Sequence, residues 1–219
     1  NVVENSNSHN TTTYNSAQTE KISLTVLPAV IGNGLKKLKV NDMLDPCSTG
    51  SYITECAAEK LQLKGERQTL TISNTGGTEI KKQSKRVHCL VASMNGLFSA
   101  PVEASVLDNI TGNTSAVEWS ILKNHWPHLT SITFNQVSNR KQIDMLIGSD
   151  HPVFHKVLRE VNGSHPKDPV ARQTPLGWVC FGPTSKNSSF VNTHVHITRT
   201  YRTNQSNVDE TNELLRNFW

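Results

Sequence analysis

The sequence predicts a mainly β protein, a small closed barrel with one or two short helices. Three observations predict it. β-branched and apolar residues fill short runs, several with the alternating period of a strand. Hairpin turn signals recur at Asn33-Gly34, Gly76-Gly77 and Asn95-Gly96. Helical spacing is confined to a few short stretches. Short strands joined by tight turns bury their apolar faces best when the sheet closes on itself.

The elements follow in order. Residues 22–31 (ISLTVLPAVI) read as the first strand, and Asn33-Gly34 turns the chain back. Residues 35–44 alternate, with Leu38, Val40 and Met43 inward, and this second arm delivers Asp45. The period then changes. Ile53, Ala57 and Leu61 recur every four residues, which predicts a helix over residues 51–63. Ser51 is its expected N-cap, Glu55 lies in the first turn where the helix dipole favours an acid, and Gly65 is its stop. Residues 68–73 and the Lys-rich residues 78–90 form a hairpin around Gly76-Gly77. The second arm runs on through residues 87–91 into the core, Asn95-Gly96 turns again, and residues 101–107 make a further strand.

Residues 108–140 are less regular, with a helical turn at 119–122 and an anchored loop at Trp126-Pro127-His128-Leu129. Residues 143–147 form a short apolar strand, interrupted by Asp144 and ended by Gly148. A helix is predicted over residues 151–161, capped by Asp150 with Pro152 in its first turn. Another strand contains Trp178-Val179-Cys180-Phe181. Residues 208–219 regain helical spacing through Leu214, Leu215 and Phe218, and would need a partner beyond this chain to bury them.

Bulk properties narrow the class. A chain of 219 residues supports one sizeable core and some loose sequence. Residues 1–20, rich in Asn, Ser and Thr, are expected to be a disordered polar linker. The chain starts at Asn1 and stops at Phe218-Trp219, and is expected to be a segment of a longer protein. No apolar run reaches the length of a bilayer span, so no membrane association is expected. The net charge of +4 is mild. Lys81-Lys82 with Lys85-Arg86 fits a solvated hairpin better than a nucleic-acid surface, so no direct nucleic-acid contact is expected of this domain. Cys47, Cys56, Cys89 and Cys180 make no CxxC pair and no export signal is evident. Reduced thiols in an intracellular, cytoplasmic setting are therefore expected.

The chemistry concentrates at Met43-Leu44-Asp45-Pro46-Cys47-Ser48-Thr49. An acid at the end of a buried strand, followed by a tight turn with hydroxyls, is how an aspartic protease keeps its carboxylate. Such an enzyme uses two facing carboxyls that share one proton, because like charges about 3 Å apart do not both ionise. One takes a proton from water, and the other donates a hydrogen bond to the scissile carbonyl. The turn would offer the Cys47 or Ser48 N–H and the Ser48 hydroxyl. Only one such segment occurs here, so the enzyme reading requires two chains across a two-fold axis. It also makes the Gly76-Gly77 hairpin, with Thr75, a flap over substrate.

Other readings stand beside it. Asp45 would serve equally as a structural turn residue. Cys47 would be a thiol nucleophile if a histidine lay close. His151 and His155, four apart, would share a helix face, and with His194 and His196 or His125 and His128 would suit zinc. No Glu follows the first of them as in a zinc-protease helix, so solvated histidines and no metal are expected. The domain would also serve as a catalytically inactive dimerisation or peptide-binding module that keeps the groove without the hydrolysis.

Asp45-Pro46-Cys47-Ser48-Thr49, Asn74-Thr75-Gly76-Gly77-Thr78 and Ile143-Asp144-Met145-Leu146-Ile147-Gly148-Ser149-Asp150 resemble, in order, the active-site loop, flap and apolar-apolar-Gly segment of retropepsin-like proteases. More specifically, the chain resembles the aspartic peptidase domain of BEL/Pao-type retrotransposon polyproteins. Trp126-Pro127-His128-Leu129 and Thr174-Pro175-Leu176-Gly177-Trp178-Val179-Cys180-Phe181-Gly182 add to the likeness, which covers residues 21–184. Residues 185–219 then read as a polar linker and the start of a helix. Asn212-Glu213-Leu214-Leu215-Arg216-Asn217-Phe218-Trp219 resembles the lead-in to the reverse transcriptase region.

The resemblance implies a retropepsin-like barrel with a long insertion after the flap region, a homodimer, and cleavage of its own polyprotein without a cofactor. It assigns catalysis to Asp45, loop support to Ser48 and Thr49, and substrate covering to Thr75, Gly76 and Gly77. The sequence departs from the family at two positions. Where the family has Ser or Thr and then Gly after the acid, this chain has Pro46 and Cys47. Pro46 lacks both an N–H and the hydroxyl that would reach across the dimer. Cys47 adds a side chain where Gly permits close approach.

Overall fold

The computed structural model describes residues 22–74, 79–112, 114–186 and 198–202. Its strands are β1 (Ile22–Ser23), β2 (Val26–Asn33), β3 (Lys36–Leu44), β4 (Tyr52–Thr54), β5 (Gly65–Asn74), β6 (Glu79–Ala92), β7 (Ser99–Leu107), β8 (Met145–Ile147), β9 (Arg159–Val161), β10 (Val170–Thr174), β11 (Gly177–Pro183) and β12 (Thr198–Arg202). The helices are short: α1 (Glu55–Lys60), α2 (Trp119–Leu122) and three 3-10 turns. The protein is mainly β, as its sequence predicts. Among the described residues no helix is long and apolar enough to cross a membrane.

Local turn chemistry sets the first hairpin. Gly34 takes the left-handed conformation (φ +57°) that a two-residue turn demands, and β2 pairs with β3 from Asn33↔Lys36 to Val26↔Met43. Gly96 (φ +71°) takes the same conformation in the longer connection between β6 and β7, residues 93–98, where its N–H donates to the Ser93 carbonyl at 3.0 Å. The larger sheet runs β12-β5-β6-β2-β3-β8-β4-β7, and β7 also pairs with β6. Strands β6, β2, β3, β8, β4 and β7 therefore form a closed ring, which removes the edges of those strands.

Period-two alternation divides the apolar residues between two cores. Val40 and Leu44 join Ala29, Ile31, Ile53, Val91 and Met145 in one. Met43, expected on the face of Val40, is buried on the opposite face with Val26, Tyr52, Leu70 and Ile143. The second sheet, β1-β11-β10-β9, is covered by the irregular segment after β7. There Trp119, Trp126, Leu129, Ile132 and Phe134 pack on Ala171 and Cys180. Trp119 Nε1 donates to Ser23 Oγ at 2.9 Å, tying α2 to β1. The irregular segment after β7 is thus an apolar cover of the second sheet.

Several expected elements are revised. The first predicted strand breaks at Leu24-Thr25, where the Thr25 hydroxyl turns to donate to the Leu44 carbonyl. The predicted helix over 51–63 is β4 followed by α1, because Tyr52 and Ile53 are needed as sheet between β7 and β8. Its cap is Thr54, which accepts from the Ala57 N–H, not Ser51. Gly65 opens β5, where a Cβ would meet the Arg86 carbonyl oxygen at 2.0 Å. The helix predicted over 151–161 is a 3-10 turn, Pro152–His155, followed by β9, and Asp150 does not cap it. The predicted linker at residues 1–20, Thr75, Gly76, Gly77, His194, His196 and the helix at 208–219 lie outside the described residues.

Candidate active site: a carboxyl group on a strand crossing

The position of Asp45 follows from one topological fact. β3 and β4 are consecutive, yet β8 lies between them, parallel to β3 (Leu44↔Ile147) and antiparallel to β4 (Tyr52↔Leu146). The chain from Leu44 to Tyr52 must therefore cross over the end of β8. Backbone bonds fasten the crossing. The Asp45 N–H donates to the Ile147 carbonyl at 3.0 Å, and the Ser149 N–H to the Ser48 carbonyl at 2.8 Å. Gly148 lies directly beneath. A Cβ there would sit 2.5 Å from the Gly50 oxygen and 2.7 Å from the Ser48 oxygen, so no larger residue fits without moving backbone.

Residues 45–48 form a tight turn closed by the Ser48 N–H on the Asp45 carbonyl at 3.1 Å. Pro46 occupies the second position of that turn, where its fixed φ suits the geometry and no N–H is required. The Cys47 N–H donates to Asp45 Oδ1 at 3.0 Å. Ser48 is fully buried, and its hydroxyl donates to the Gly50 carbonyl at 2.7 Å. Asp45 itself is half-buried, while Pro46, Cys47 and Thr49 are exposed. The result is a carboxyl group held on a rigid turn, one oxygen fixed by a backbone donor and the group open to one side. Of the expected site residues, Asp45 and Ser48 lie on this turn and Thr49 directly follows it. The β5–β6 hairpin carries its described pairing up to Ser73↔Glu79.

A second group of residues, not assigned to the site from sequence, secures the far end of the crossing. Asp150 accepts the Ser51 N–H at Oδ2 (3.1 Å) and the Ser51 O–H at Oδ1 (2.8 Å). Ser51 Oγ also accepts the Gly148 N–H at 3.0 Å and lies 3.0 Å from His151 Nδ1. His151 Nε2 accepts the Glu103 N–H of β7 at 3.2 Å, which places the ring proton on Nδ1. Ser, His and Asp here are not a hydrolase triad. Asp150 holds the serine directly, His151 Nε2 is occupied, and Ser51 is 1% exposed. The sequence signal was Gly148-Ser149-Asp150 after an apolar strand, masked by Pro152, which reads as a helix start.

The remaining candidates separate in space. His155 Nε2 bonds the Gly148 carbonyl at 2.9 Å and His128 Nε2 the Pro169 carbonyl at 2.9 Å, in different parts of the fold. Among the described residues no three His, Cys, Asp or Glu side chains are grouped to hold a metal. The exposed Cys47 thiol makes no hydrogen bond to a histidine among the described residues. Asp144 is buried at the opposite end of β8 from the crossing, accepting from Arg140 Nη2 at 2.8 Å and from the Thr54 hydroxyl at 3.3 Å. A cleft of about 490 Å³ bordered by Phe98, Val153, Leu158 and Leu176 includes none of the crossing residues. The chain matches no family model, no curated protein and no solved structure.

Proposed function

We propose that this chain is an aspartic endopeptidase of the retropepsin-like kind, in which Asp45 from each of two copies forms the carboxyl pair. The observation that carries the reading is the half-buried Asp45 carboxyl at the strand crossing, with Oδ1 held by the Cys47 N–H. A rigid backbone donor fixes the plane of the acid before reaction, so little reorganisation is needed as charge develops. The paired carboxyls share one proton. The ionised one removes a proton from water as it attacks the peptide carbonyl, and the protonated one bonds the carbonyl oxygen. Ser48 and Thr49 support the turn, and the β5–β6 hairpin with Thr75, Gly76 and Gly77 covers an extended polypeptide substrate, the chain's own polyprotein.

A second reading is favoured by Pro46, which carries no hydroxyl to link two crossings. It is a dimerising or peptide-binding module without hydrolysis. One experiment separates them. A longer precursor is expressed with Asp45 intact and as Asp45→Asn, and dimerisation is followed by sedimentation. Cleavage that disappears in Asp45→Asn with the dimer retained supports the peptidase. A protein that dimerises or binds peptide and cleaves in neither form supports the module, and a monomer at all concentrations that binds no peptide removes both readings.

A further inference from the structure

We propose that Ser51, Asp150 and His151 are positioning residues for the Asp45 turn. This rests on the reading of Asp45 as the reacting carboxyl. The crossing has two ends. At the first, the Asp45 N–H is tied to β8 through the Ile147 carbonyl. At the second, every polar group of Ser51 is used. Its N–H and O–H both go to Asp150, its Oγ receives the Gly148 N–H, and its carbonyl receives the Ser105 N–H of β7. His151 extends the cluster, with Nδ1 3.2 Å from Asp150 Oδ1 and Nε2 on the Glu103 N–H.

Three elements are joined at this point: the start of β4, the end of β8, and β7. Their common effect is to stop the crossing from lifting off Gly148. The glycine lets the crossing lie directly on the strand, where backbone bonds and the Ser51 cluster keep it. Asp150 supplies the acceptors for both Ser51 donors. The Asp150 side chain is 23% exposed, whereas Ser51, which it holds, is 1% exposed. Without it, the Ser51 N–H and hydroxyl lose their acceptors, and the second end is held by fewer bonds, among them the Ser105 N–H on the Ser51 carbonyl and the Gly148 N–H on Ser51 Oγ. The tight turn with the Cys47 N–H on Asp45 would then open more often.

The test is amide hydrogen exchange by NMR on the dimer, with Asp150→Ala and the milder Asp150→Asn, which keeps one acceptor oxygen. The expected result is exchange at the Cys47 and Ser48 amides faster by at least about tenfold in Asp150→Ala, the size expected for losing buried hydrogen bonds. Asp150→Asn should fall between this and the native protein, and the amides of Val40 and Val91 should keep their native rates. Precursor self-cleavage per folded dimer should fall in the same order. Unchanged turn amides, or equal acceleration at Val40 and Val91, would overturn the proposal. If Asp150→Ala does not fold, Asp150→Asn decides by the same criteria. If the native precursor does not cleave, the peptidase reading falls, and the exchange rates still decide whether these residues hold the turn.

Discussion

Asp42 is the least comfortable residue in the barrel, and its ionisation should govern how stability varies with pH. It shares a face of β3 with Val40 and Leu44, is fully buried, and neither carboxyl oxygen has a hydrogen-bond partner. Burial pushes its pKa from 3.8 up to about 8, and the nearby Met43 N–H offsets only a little of this. Cys89 is pushed up to about 12, by its own burial and then by Asp42, so its thiol does not titrate in the same range. The folded state therefore holds the Asp42 proton more tightly than the unfolded chain does. The resulting stability is fully present below pH 3.8 and is lost as pH rises toward 8. A rise of roughly four units at about 1.4 kcal/mol each makes the loss on the order of 5 kcal/mol. That is a large share of the roughly 5–15 kcal/mol that holds a typical domain together. The assay is urea unfolding at fixed protein concentration and several pH values between 4 and 8, on the native chain and on Asp42→Asn. The variant keeps the shape and cannot ionise, so the native curve should fall relative to it across this window by several kcal/mol. Asp42→Ala, which removes the buried polar group, should exceed the native protein in stability at pH 8. Parallel curves for native protein and Asp42→Asn would refute the reasoning.

Other outcomes follow from the crossing and its surroundings. Gly148→Ala drives a methyl into the Gly50 and Ser48 carbonyls, and should lower stability by about 2 kcal/mol or more, read as a fall in thermal midpoint. Arg140→Gln leaves the buried Asp144 with the Thr54 hydroxyl as its remaining side-chain donor, and should cost about 3 kcal/mol in denaturant unfolding. Cys47 and Cys56 are exposed while Cys89 and Cys180 are buried, so brief alkylation of the folded protein should add two groups by mass, and four only after unfolding.

What could be read from the sequence was local. Asn33-Gly34 and Asn95-Gly96 mark turns through a glycine in the left-handed conformation, and the alternation before Asp45 correctly ends a strand there. The stripe Ile53, Ala57 and Leu61 exists, and all three residues are buried. Its first member lies in a strand because β7 and β8 supply partners that no window of sequence contains. Residues 108–140 show no period because their apolar side chains are spaced to meet β10 and β11, not to form a face of their own. The bond between Ser51 and Asp150 spans 99 positions, and the adjacent Pro152 gives Asp150 a plausible local duty that it does not perform. Asp42 was legible only as a polar interruption in an alternating strand, since its cost depends on what packs around it.

The parallel pairing of β3 with β8 has a consequence for biosynthesis. A nascent chain that has emerged as far as residue 140 already carries Asp45, but not the strand on which that acid rests. The crossing that carries Asp45 is complete only when residues 145–150 have left the ribosome and taken their place between two strands made long before. The order of translation thus delays the assembly of the acid's support until most of the barrel's other strands have been made.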